Sequence, residues 1–349
     1  MHIDILSEQE VAVLRELIAA SSNIVIVCHK SPDGDALGSS LAWAEYLRVS
    51  HGKEPVTLVP DAFPDYLLWL PNSEKLIRYD KNPERGDLLL KTADLVFCMD
   101  FNESSRTELM QATLDGCAAQ KVMIDHHLDP RMDTVLTVSH PELSSTSEIV
   151  FRIVWQMGGF EAMKKHFAVP VYCGMMTDTG SFTYNSTYPE IYFIVSQLLT
   201  KHINKDLIYR KVYNNYSHWA IRLRGYLMCE KLKVFEEFHA SCFSLSAKEM
   251  RDFHFVRGDM EGLVNEPLRI KGLKLSISLR EDDRTPNLVW VSLRSIGDFP
   301  CNKMAEEFFN GGGHLNASGG RLYCSLEEAE KVIVEAIRAY ESQLKSSEN

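Results

Sequence analysis

The sequence predicts an α/β protein in which an N-terminal domain with a parallel sheet is joined by helices to a smaller α/β C-terminal domain. The chain has 349 residues, which is more than one ordinary domain contains and suits two. Short apolar runs alternate with helical patterns through the first half, as in βαβ units with right-handed crossovers. Most of these runs are apolar throughout, which indicates strands buried on both faces of a sheet.

The elements of the first half follow from this alternation. A helical pattern at 6–20 precedes the first predicted strand, at 23–28, and a predicted helix at 34–49 follows that strand. The later predicted strands are at 56–60, 94–100, 121–125 and 134–138. The later predicted helices are at 103–117, at 146–157 and around 170–176.

From residue 188 the pattern becomes helical and more polar, and strands then return. Helical patterns at 188–202 and 206–232 place a connector at 191–236. We therefore predict one domain at 1–190 and a second at 237–349. The second domain is predicted to contain strands at 240–245, 273–280, 288–293 and 320–324, helices at 301–309 and 325–342, and a glycine-rich loop before the last strand.

Composition sets expectations for location and partners. No run approaches the roughly 18 apolar residues of a membrane helix, and the first residues lack the pattern of a secretory signal. We therefore expect a cytoplasmic protein with no membrane partner. Its eight cysteines are expected to be reduced, and four lie inside apolar runs where burial is expected: Cys28, Cys98, Cys173 and Cys242. The net charge of −11 disfavours a protein that coats long DNA.

Side chains of the kinds that bind metals fall at or just after the ends of predicted strands, where ligands bind in open α/β sheets. Four groups do so: His29, Asp33 and Asp35; Asp100; Asp125, His126 and His127; and Asp178. Carboxylates and imidazoles without thiolates suit Mn²⁺, Mg²⁺ or Fe²⁺ better than a structural zinc. The ligands outnumber the needs of one ion, so we expect two ions bridged by one aspartate, an arrangement that supports in-line attack on phosphorus.

Each group alone has an ordinary structural interpretation. The Asp-Gly-Asp sequence at 33–35 is typical of a turn, and an aspartate after a strand commonly caps a helix. Four such groups, each after a strand, are hard to obtain by chance, which favours a metal site. Residues 144–148 predict a helix start, and residues 38–40 are a place where backbone could approach a phosphate.

Several segments resemble known motifs. Four are similar to motifs one to four of the DHH phosphoesterase superfamily: HKSPDGDALGSS at 29–40, the isolated Asp100, DHH at 125–127 and TDTGSF at 177–182. SLRS at 292–295 and GGGHLNASGG at 311–320 resemble the DHH-associated C-terminal domain. The resemblance covers the whole chain and is strongest to the nanoRNase/pAp phosphatases, the bifunctional oligoribonuclease and 3′-phosphoadenosine 5′-phosphate phosphatase type.

The resemblance implies an active site in the cleft between the two domains, with two Mn²⁺ ions or, in their place, Mg²⁺ or another divalent ion. It also implies the ligands: His29 and Asp33 for one ion, Asp35, His126 and Asp178 for the second, and Asp100 for both. His127 would contact the scissile phosphate or protonate the leaving oxygen. Asp125 would orient the adjacent histidines.

The resemblance further implies that the second domain binds the nucleotide through Arg294, Ser295, Gly311, Gly312, Gly313 and His314. A guanidinium can hold two phosphate oxygens, and glycines can leave backbone N–H groups free to approach an anion. Taken alone, three consecutive glycines are more typical of a flexible turn. The implied substrates are pAp, linear dinucleotides and short RNA or DNA oligonucleotides, and a homodimer is consistent with the resemblance.

The implied activity is hydrolysis of short oligoribonucleotides to nucleoside 5′-monophosphates and of pAp to AMP and phosphate. Three alternatives stay open. The N-terminal motifs alone also fit an exopolyphosphatase or inorganic pyrophosphatase, although the GGGH sequence argues against it. A RecJ-like exonuclease is disfavoured by the chain length and net charge. A non-catalytic nucleotide sensor would need lost ligands, and none is missing.

Overall fold

The computed structural model of the protein describes residues 3–256 and 258–346. The chain divides into two compact units, Met1–Asn215 and Tyr216–Asn349. The boundary falls inside the predicted connector, and the three-part division of the chain stays a prediction. Across the described ranges, no helix has both the length and the apolar character that crossing a membrane requires.

The first unit is built on a parallel sheet. Its strands are β1 (Ile24–Cys28), β2 (Val56–Val59), β3 (Ile77–Arg78), β4 (Leu95–Met99), β5 (Gln120–Asp125) and β6 (Leu136–Ser139). Their order in the sheet is β3-β2-β1-β4-β5-β6, and all neighbours are parallel. The helices are α1 (Glu8–Ala20), α2 (Gly34–His51), α3 (Pro83–Thr92), α4 (Gln111–Gly116), α5 (Thr146–Gln156), α6 (Lys165–Asp178), α7 (Pro189–Thr200) and α8 (Lys205–Tyr213).

Helices cover both faces of this sheet, which explains why the central strands β1 and β4 are apolar at every position. Val25 and Val27 of β1 share a core with Leu90 of α3 and Leu114 of α4. Ile26 of β1 points the other way, into a larger core formed with α1, α2, α5 and α6. The predicted α/β class with a buried parallel sheet is confirmed, and the four cysteines expected to be buried are buried.

Most predicted elements of the first unit are confirmed to within a few residues. The predicted helix at 206–232 is wrong as one element, because α8 ends at Tyr213 and a new helix begins at His218, and there are three further differences. The two-residue strand β3 is too short to produce a pattern. The helix α3 has no counterpart among the predicted elements, although Asn82 caps it and Pro83 begins it, which are recognisable start signals. The predicted helix at 103–117 is wrong as one element, because Glu108 (φ 44°, ψ −104°) interrupts it and its first part is the 3₁₀-helix Ser104–Met110.

The helices α2 and α6 pack closely because glycines line their contact. A Cβ atom on Gly34 would overlap the side chain of Thr177, and a Cβ atom on Gly38 would overlap the carbonyl oxygen of Pro170. This contact brings the start of α2 and the end of α6 together. Residues 38–40 are buried within it, so the expectation that their backbone approaches a phosphate is wrong.

The second unit is built on a mixed sheet with the strands β7 (Lys233–Phe235), β8 (Ala240–Leu245), β9 (Leu275–Glu281), β10 (Val289–Ser295), β11 (Gly312–His314) and β12 (Ala317–Leu322). Their order is β11-β12-β10-β9-β8-β7, with β8 and β9 parallel and the other pairs antiparallel. Its helices are α9 (His218–Tyr226), α10 (Ala247–Asp252), α11 (Cys301–Phe308), α12 (Leu326–Ala339) and α13 (Glu341–Lys345). A π-helix spans Leu227–Lys231.

A buried ion pair links α5 to the backbone of Ile3. Glu148 and Arg152 lie one helical turn apart with side chains 1% and 6% exposed. Arg152 donates to Glu148 Oε1 from Nε at 2.9 Å and from Nη2 at 2.7 Å, and to the carbonyl oxygen of Ile3 at 3.4 Å. The second oxygen of Glu148 accepts from the backbone N–H of Ser144 at 3.0 Å. Both buried charges are therefore paired and hydrogen-bonded.

Replacing Arg152 by Ala is expected to lower the free energy of unfolding of the first unit by about 3–5 kcal/mol, because Glu148 would stay buried without its partner. Urea denaturation followed by circular dichroism measures this change. The control is Lys205→Ala, which removes one side of an exposed ion pair with Asp206 and should not alter unfolding. Equal effects of the two substitutions would contradict a stabilising role of the buried pair.

Candidate metal centre

Three adjacent parallel strands end at one edge of the first sheet and bring most of the candidate ligands there. The strand β4 lies between β1 and β5. His29 directly follows β1, Asp100 directly follows β4, and His126 directly follows β5. Because the carboxyl ends of parallel strands meet at one edge, side chains that are distant in the sequence become neighbours.

Asp100 lies at the centre of this edge. Its side chain is 2% exposed, and its backbone has a φ of 64°, a left-handed conformation that aspartate tolerates better than most residues. Its Oδ2 lies 3.4 Å from Nε2 of His29, and its Oδ1 lies 3.6 Å from Nε2 of His126. The two oxygens of one carboxylate therefore face two different histidines, as a ligand that bridges two ions must.

Three groups of potential ligand atoms share this carboxylate, and within each group the atoms lie within 4.8 Å of one another. Two consist of residues named as ligands from the sequence: His29, Asp33 and Asp100, and Asp35, Asp100 and His126. The third is Asp100, Asp125 and His127. Asp178 adjoins the second group, with its Oδ2 3.4 Å from Nε2 of His126. The structure thus brings the six side chains named as ligands from the sequence to one place.

Asp178 reaches the site from a helix. It is the last residue of α6, so the prediction that its group follows a strand is wrong. Its side chain is 29% exposed, compared with 1% for Asp35. The close packing of α6 on α2 is what places this carboxylate beside residues that follow β1 and β5.

Backbone carbonyl groups determine which ring nitrogen of two histidines faces the carboxylates. Nδ1 of His29 lies 2.8 Å from the carbonyl oxygen of Lys30, and Nδ1 of His126 lies 3.4 Å from that of Leu143. Because a carbonyl oxygen only accepts hydrogen bonds, each Nδ1 carries a proton. When either ring is neutral, its Nε2 therefore presents a lone pair towards the carboxylates.

His127 is held by a carboxylate instead. Its Nδ1 donates to Oδ1 of Asp125 at 2.7 Å. The side chain of Asp125 is fully buried, and within the described residues its Oδ2 has no hydrogen-bond partner. A histidine oriented through Nδ1 by a buried carboxylate is suited to proton transfer through Nε2.

Like charges are crowded at this edge. Burial, together with the carboxylates of Asp100 and Asp178, raises the pKa of Asp35 well above its ordinary value. Burial also opposes ionisation of Asp100, but a hydrogen bond from His29 and the neighbouring imidazolium charges outweigh it and lower the pKa. Burial favours neutral His126, but the carboxylates of Asp178, Asp100 and Asp35 outweigh it and raise the pKa to about 9. Oxygen and imidazole donors with this excess of negative charge fit divalent cations.

The N-terminus of α5 positions two of these carboxylates. Oδ2 of Asp35 accepts from the backbone N–H of Thr146 at 2.7 Å, and Oδ1 accepts from that of Ser147 at 2.9 Å. The hydroxyl of Thr146 donates to Oδ1 of Asp100 at 2.8 Å. The sequence at 144–148 predicts only a helix start, and no local pattern points to a partner 111 residues away.

The side chains predicted to bind a nucleotide lie on different faces of the second sheet. Arg294 pairs with Ala317, and Ala317 pairs with His314, so Arg294 and His314 lie in one row across the strands. Ser295 follows Arg294 and is buried, and its hydroxyl donates to the carbonyl oxygen of Phe299 at 2.8 Å. The structure therefore brings Arg294 and His314 to the same face but not Ser295.

The glycine-rich segment before His314 is a strand. Gly312–His314 forms β11 and pairs with β12, and the N–H of Gly311 donates to the carbonyl oxygen of Ala305 at 3.1 Å. The prediction of a loop is therefore wrong, and the N–H of Gly311 is not free to approach an anion. A Cβ atom on Gly311 would overlap the backbone of Gly319, which explains why a residue without a side chain stands there.

Two domain models match the chain. Residues 23–175 match the N-terminal domain of the DHH family, and residues 245–343 match the DHHA1 domain. The chain is also similar to two curated proteins. It is 28% identical to the bifunctional oligoribonuclease and PAP phosphatase NrnA of Thermus thermophilus, over 92% of this chain and 91% of NrnA. It is 25% identical to the cyclic-di-AMP phosphodiesterase PdeA of Listeria monocytogenes, over 94% of this chain and 49% of PdeA.

Solved structures agree with these matches. An exopolyphosphatase-related protein from Bacteroides fragilis is 47% identical, with a TM-score of 0.93 over 98% of this chain and 99% of that chain. RecJ of Thermus thermophilus in complex with Mn²⁺ is 13% identical and shares the fold, with a TM-score of 0.56 over 96% of this chain and 54% of RecJ. The chain belongs to the DHH family, with a DHH domain followed by a DHHA1 domain.

Proposed function

We propose that this DHH-family protein hydrolyses short oligoribonucleotides and linear dinucleotides to nucleoside 5′-monophosphates, and pAp to AMP and phosphate. The observation that carries the proposal is the position of Asp100, whose two carboxylate oxygens face His29 and His126. A site with two overlapping groups of oxygen and imidazole donors is typical of enzymes that cleave phosphate esters. Similarity to NrnA over nearly the full length of both chains supports the substrate class.

Two divalent ions would be held at this edge, and we propose Mn²⁺, with Mg²⁺ as the alternative. His29, Asp33 and Asp100 would hold one ion, and Asp35, Asp100, His126 and Asp178 the other. When bound, such ions activate water and neutralise the charge of phosphate oxygens during an in-line displacement. The Mn²⁺ in the structure of RecJ, which shares the fold, supports this choice of ion.

The chain's own side chains would supply positioning and a proton. Asp125 holds Nδ1 of His127, which leaves Nε2 to donate a proton to the leaving oxygen. Thr146 and Ser147 hold Asp35 and Asp100 in place, so the carboxylates need not rearrange during the reaction. Arg294 of the second sheet would bind phosphate oxygens through its guanidinium, with His314 from the same row.

A second candidate is hydrolysis of polyphosphate. It is favoured by the 47% identity to a protein described as exopolyphosphatase-related. Both reactions would use the same carboxylates and histidines, because each cleaves a phosphate ester or anhydride. The substrates of the two reactions differ in the group next to the cleaved phosphate, which is a nucleoside in one and another phosphate in the other. An assay with both kinds of substrate therefore distinguishes the two candidates.

The purified protein with Mn²⁺ is expected to hydrolyse pAp and the dinucleotide pApA, and to leave polyphosphate, pyrophosphate and long single-stranded DNA intact. Chromatography of the products measures release of AMP and phosphate. Asp100→Ala should abolish both reactions because it removes the carboxylate shared by both groups of ligands. Asp65→Ala, which changes an exposed carboxylate after β2, is the control and should keep full activity. Hydrolysis of polyphosphate alone would establish the second candidate in place of the first.

Thr146→Val is expected to weaken Mn²⁺ binding by about 10-fold or more, because it removes the hydrogen bond to Asp100 and keeps the shape of the side chain. Isothermal titration calorimetry with Mn²⁺ measures the affinity. Thr92→Val, whose exposed hydroxyl bonds only within its own helix α3, should bind Mn²⁺ normally. An unchanged Mn²⁺ affinity of Thr146→Val would contradict the role of α5 in positioning Asp100.

Binding of Mn²⁺ is expected to release protons near pH 7.5. The pKa of His126 is raised to about 9, so its ring is mostly protonated at this pH and must lose a proton to bind an ion. Affinity for Mn²⁺ should therefore fall as pH is lowered from about 9. Calorimetry at pH 7.5 in two buffers with different ionisation enthalpies counts the protons. Identical binding enthalpies in both buffers would show that no proton is released.

A further inference from the structure

The sheet of the second unit has a face that carries polar and aromatic side chains. Buried and half-exposed residues alternate along Val289–Ser295. Val289, Val291 and Leu293 belong to the hydrophobic core formed with α11 and α12. Trp290, Ser292 and Arg294 lie on the opposite side, which is named the front face here.

Strand pairing arranges the front face in three rows. From one end of β10 to the other, the rows are His314, Ala317 and Arg294; Gly319 and Ser292; and Arg321, Trp290 and Arg280. Alternate residues of a strand lie about 6.7 Å apart, so the rows of Arg294 and Trp290 are about 13 Å apart. The face therefore offers cations at one end, an aromatic ring between two arginines at the other end, and small residues in the middle.

Part of the front face is covered and part is open. The 3₁₀-helix Leu263–Arg269 packs against β9 and β10, and its Leu263 and Val264 share a core with Phe243 of β8. Ser276 and Ser278 of β9 are buried beneath this cover. In contrast, the front-face residues of β10 and Gly319 of β12 are half-exposed. The open part is thus a strip along β10 and β12 that spans all three rows.

The chemistry of the strip suits a single nucleic-acid strand. The guanidinium of Arg294 can bind two phosphate oxygens, and His314 adds a second donor in the same row. Gly319 has no side chain, so a sugar could lie close to the sheet in the middle row. An indole such as that of Trp290 provides a flat surface on which a base of any identity stacks.

The ring of Trp290 is held in one orientation. Its Nε1 donates to Oδ2 of Asp282 at 2.9 Å. The other oxygen of Asp282 accepts from the backbone N–H groups of Arg284 at 3.0 Å and Thr285 at 2.8 Å. An anchored indole loses little conformational freedom when a base stacks on it, which favours binding.

We propose that this strip binds two successive nucleotides, with a phosphate at Arg294 and the base of the neighbouring nucleotide stacked on Trp290. The inference rests on the proposed function and extends it by assigning a specificity-determining residue for oligonucleotides. The backbone positions of Arg294 and Trp290 lie about 13 Å apart along β10, so we place the bound phosphate and the stacked base on two neighbouring nucleotides. In this arrangement a dinucleotide contacts both Arg294 and Trp290, and a mononucleotide contacts Arg294 alone.

The test is calorimetric binding of pApA and of AMP to the full chain in EDTA, which prevents metal-dependent hydrolysis. Wild-type protein should bind pApA more tightly than AMP. Trp290→Leu, which keeps apolar bulk but has no aromatic face, should weaken pApA binding roughly 5- to 150-fold and leave AMP binding unchanged. Trp290→Phe should retain most of the affinity for pApA. The matched control is Trp219→Leu, which changes an indole of α9 and should affect neither ligand.

Two results would overturn the inference: equal binding of pApA and AMP by the wild type, or an equal effect of Trp290→Leu on both ligands. Circular dichroism of each variant confirms that the fold is retained. Hydrolysis of both nucleotides with Mn²⁺ is measured separately on the wild type. Preferential, Trp290-dependent binding of pApA without any hydrolysis would support the inference and remove the proposed function.

Discussion

The burial of several carboxylates in one place is the constraint on which the first unit depends. Asp35 and Asp100 are almost fully buried, and burial of a charge is unfavourable unless dipoles, protons or cations compensate it. Part of the compensation comes from the N-terminus of α5, where Thr146 and Ser147 donate to Asp35. A helix N-terminus suits this role because its first N–H groups have no partner within the helix and carry partial positive charge.

This compensation depends on precise packing of three helices. At the first turn of α5, which contacts Asp35, Gly34 leaves room for Thr177 where α2 meets α6, and Gly174 leaves room for Ser147 where α6 meets α5. On the following turn of α5, the buried pair of Glu148 and Arg152 links the helix to the carbonyl oxygen of Ile3. Stability and ligand placement are therefore properties of the same contacts, and a substitution in these helices would change both.

The sequence patterns predict the residues that could bind metal ions better than the contacts that hold those residues in position. His29, Asp100 and His126 follow strands that are visible as apolar runs, so parallel topology alone places them at one edge. The place of Asp178 at a helix end and the contact of Thr146 with Asp100 depend on tertiary packing. No local pattern encodes such contacts, because they join segments that are far apart in the chain. The strand at Gly312–His314 could not be predicted from the sequence for another reason. Glycine has a low strand propensity, and this strand forms through its pairing with β12.

In the second sheet, the alternation of side chains between the two faces makes the front face sensitive to the length of one turn. In β10, β11 and β12, each residue on the front face is flanked by residues that face the other way. Insertion or deletion of one residue in the short turn between His314 and Ala317 would shift the pairing of β11 with β12 by one position. Such a shift would turn His314 away from Arg294 without altering the composition of the segment. Lineages that keep this face should therefore vary in side chains far more readily than in the length of that turn.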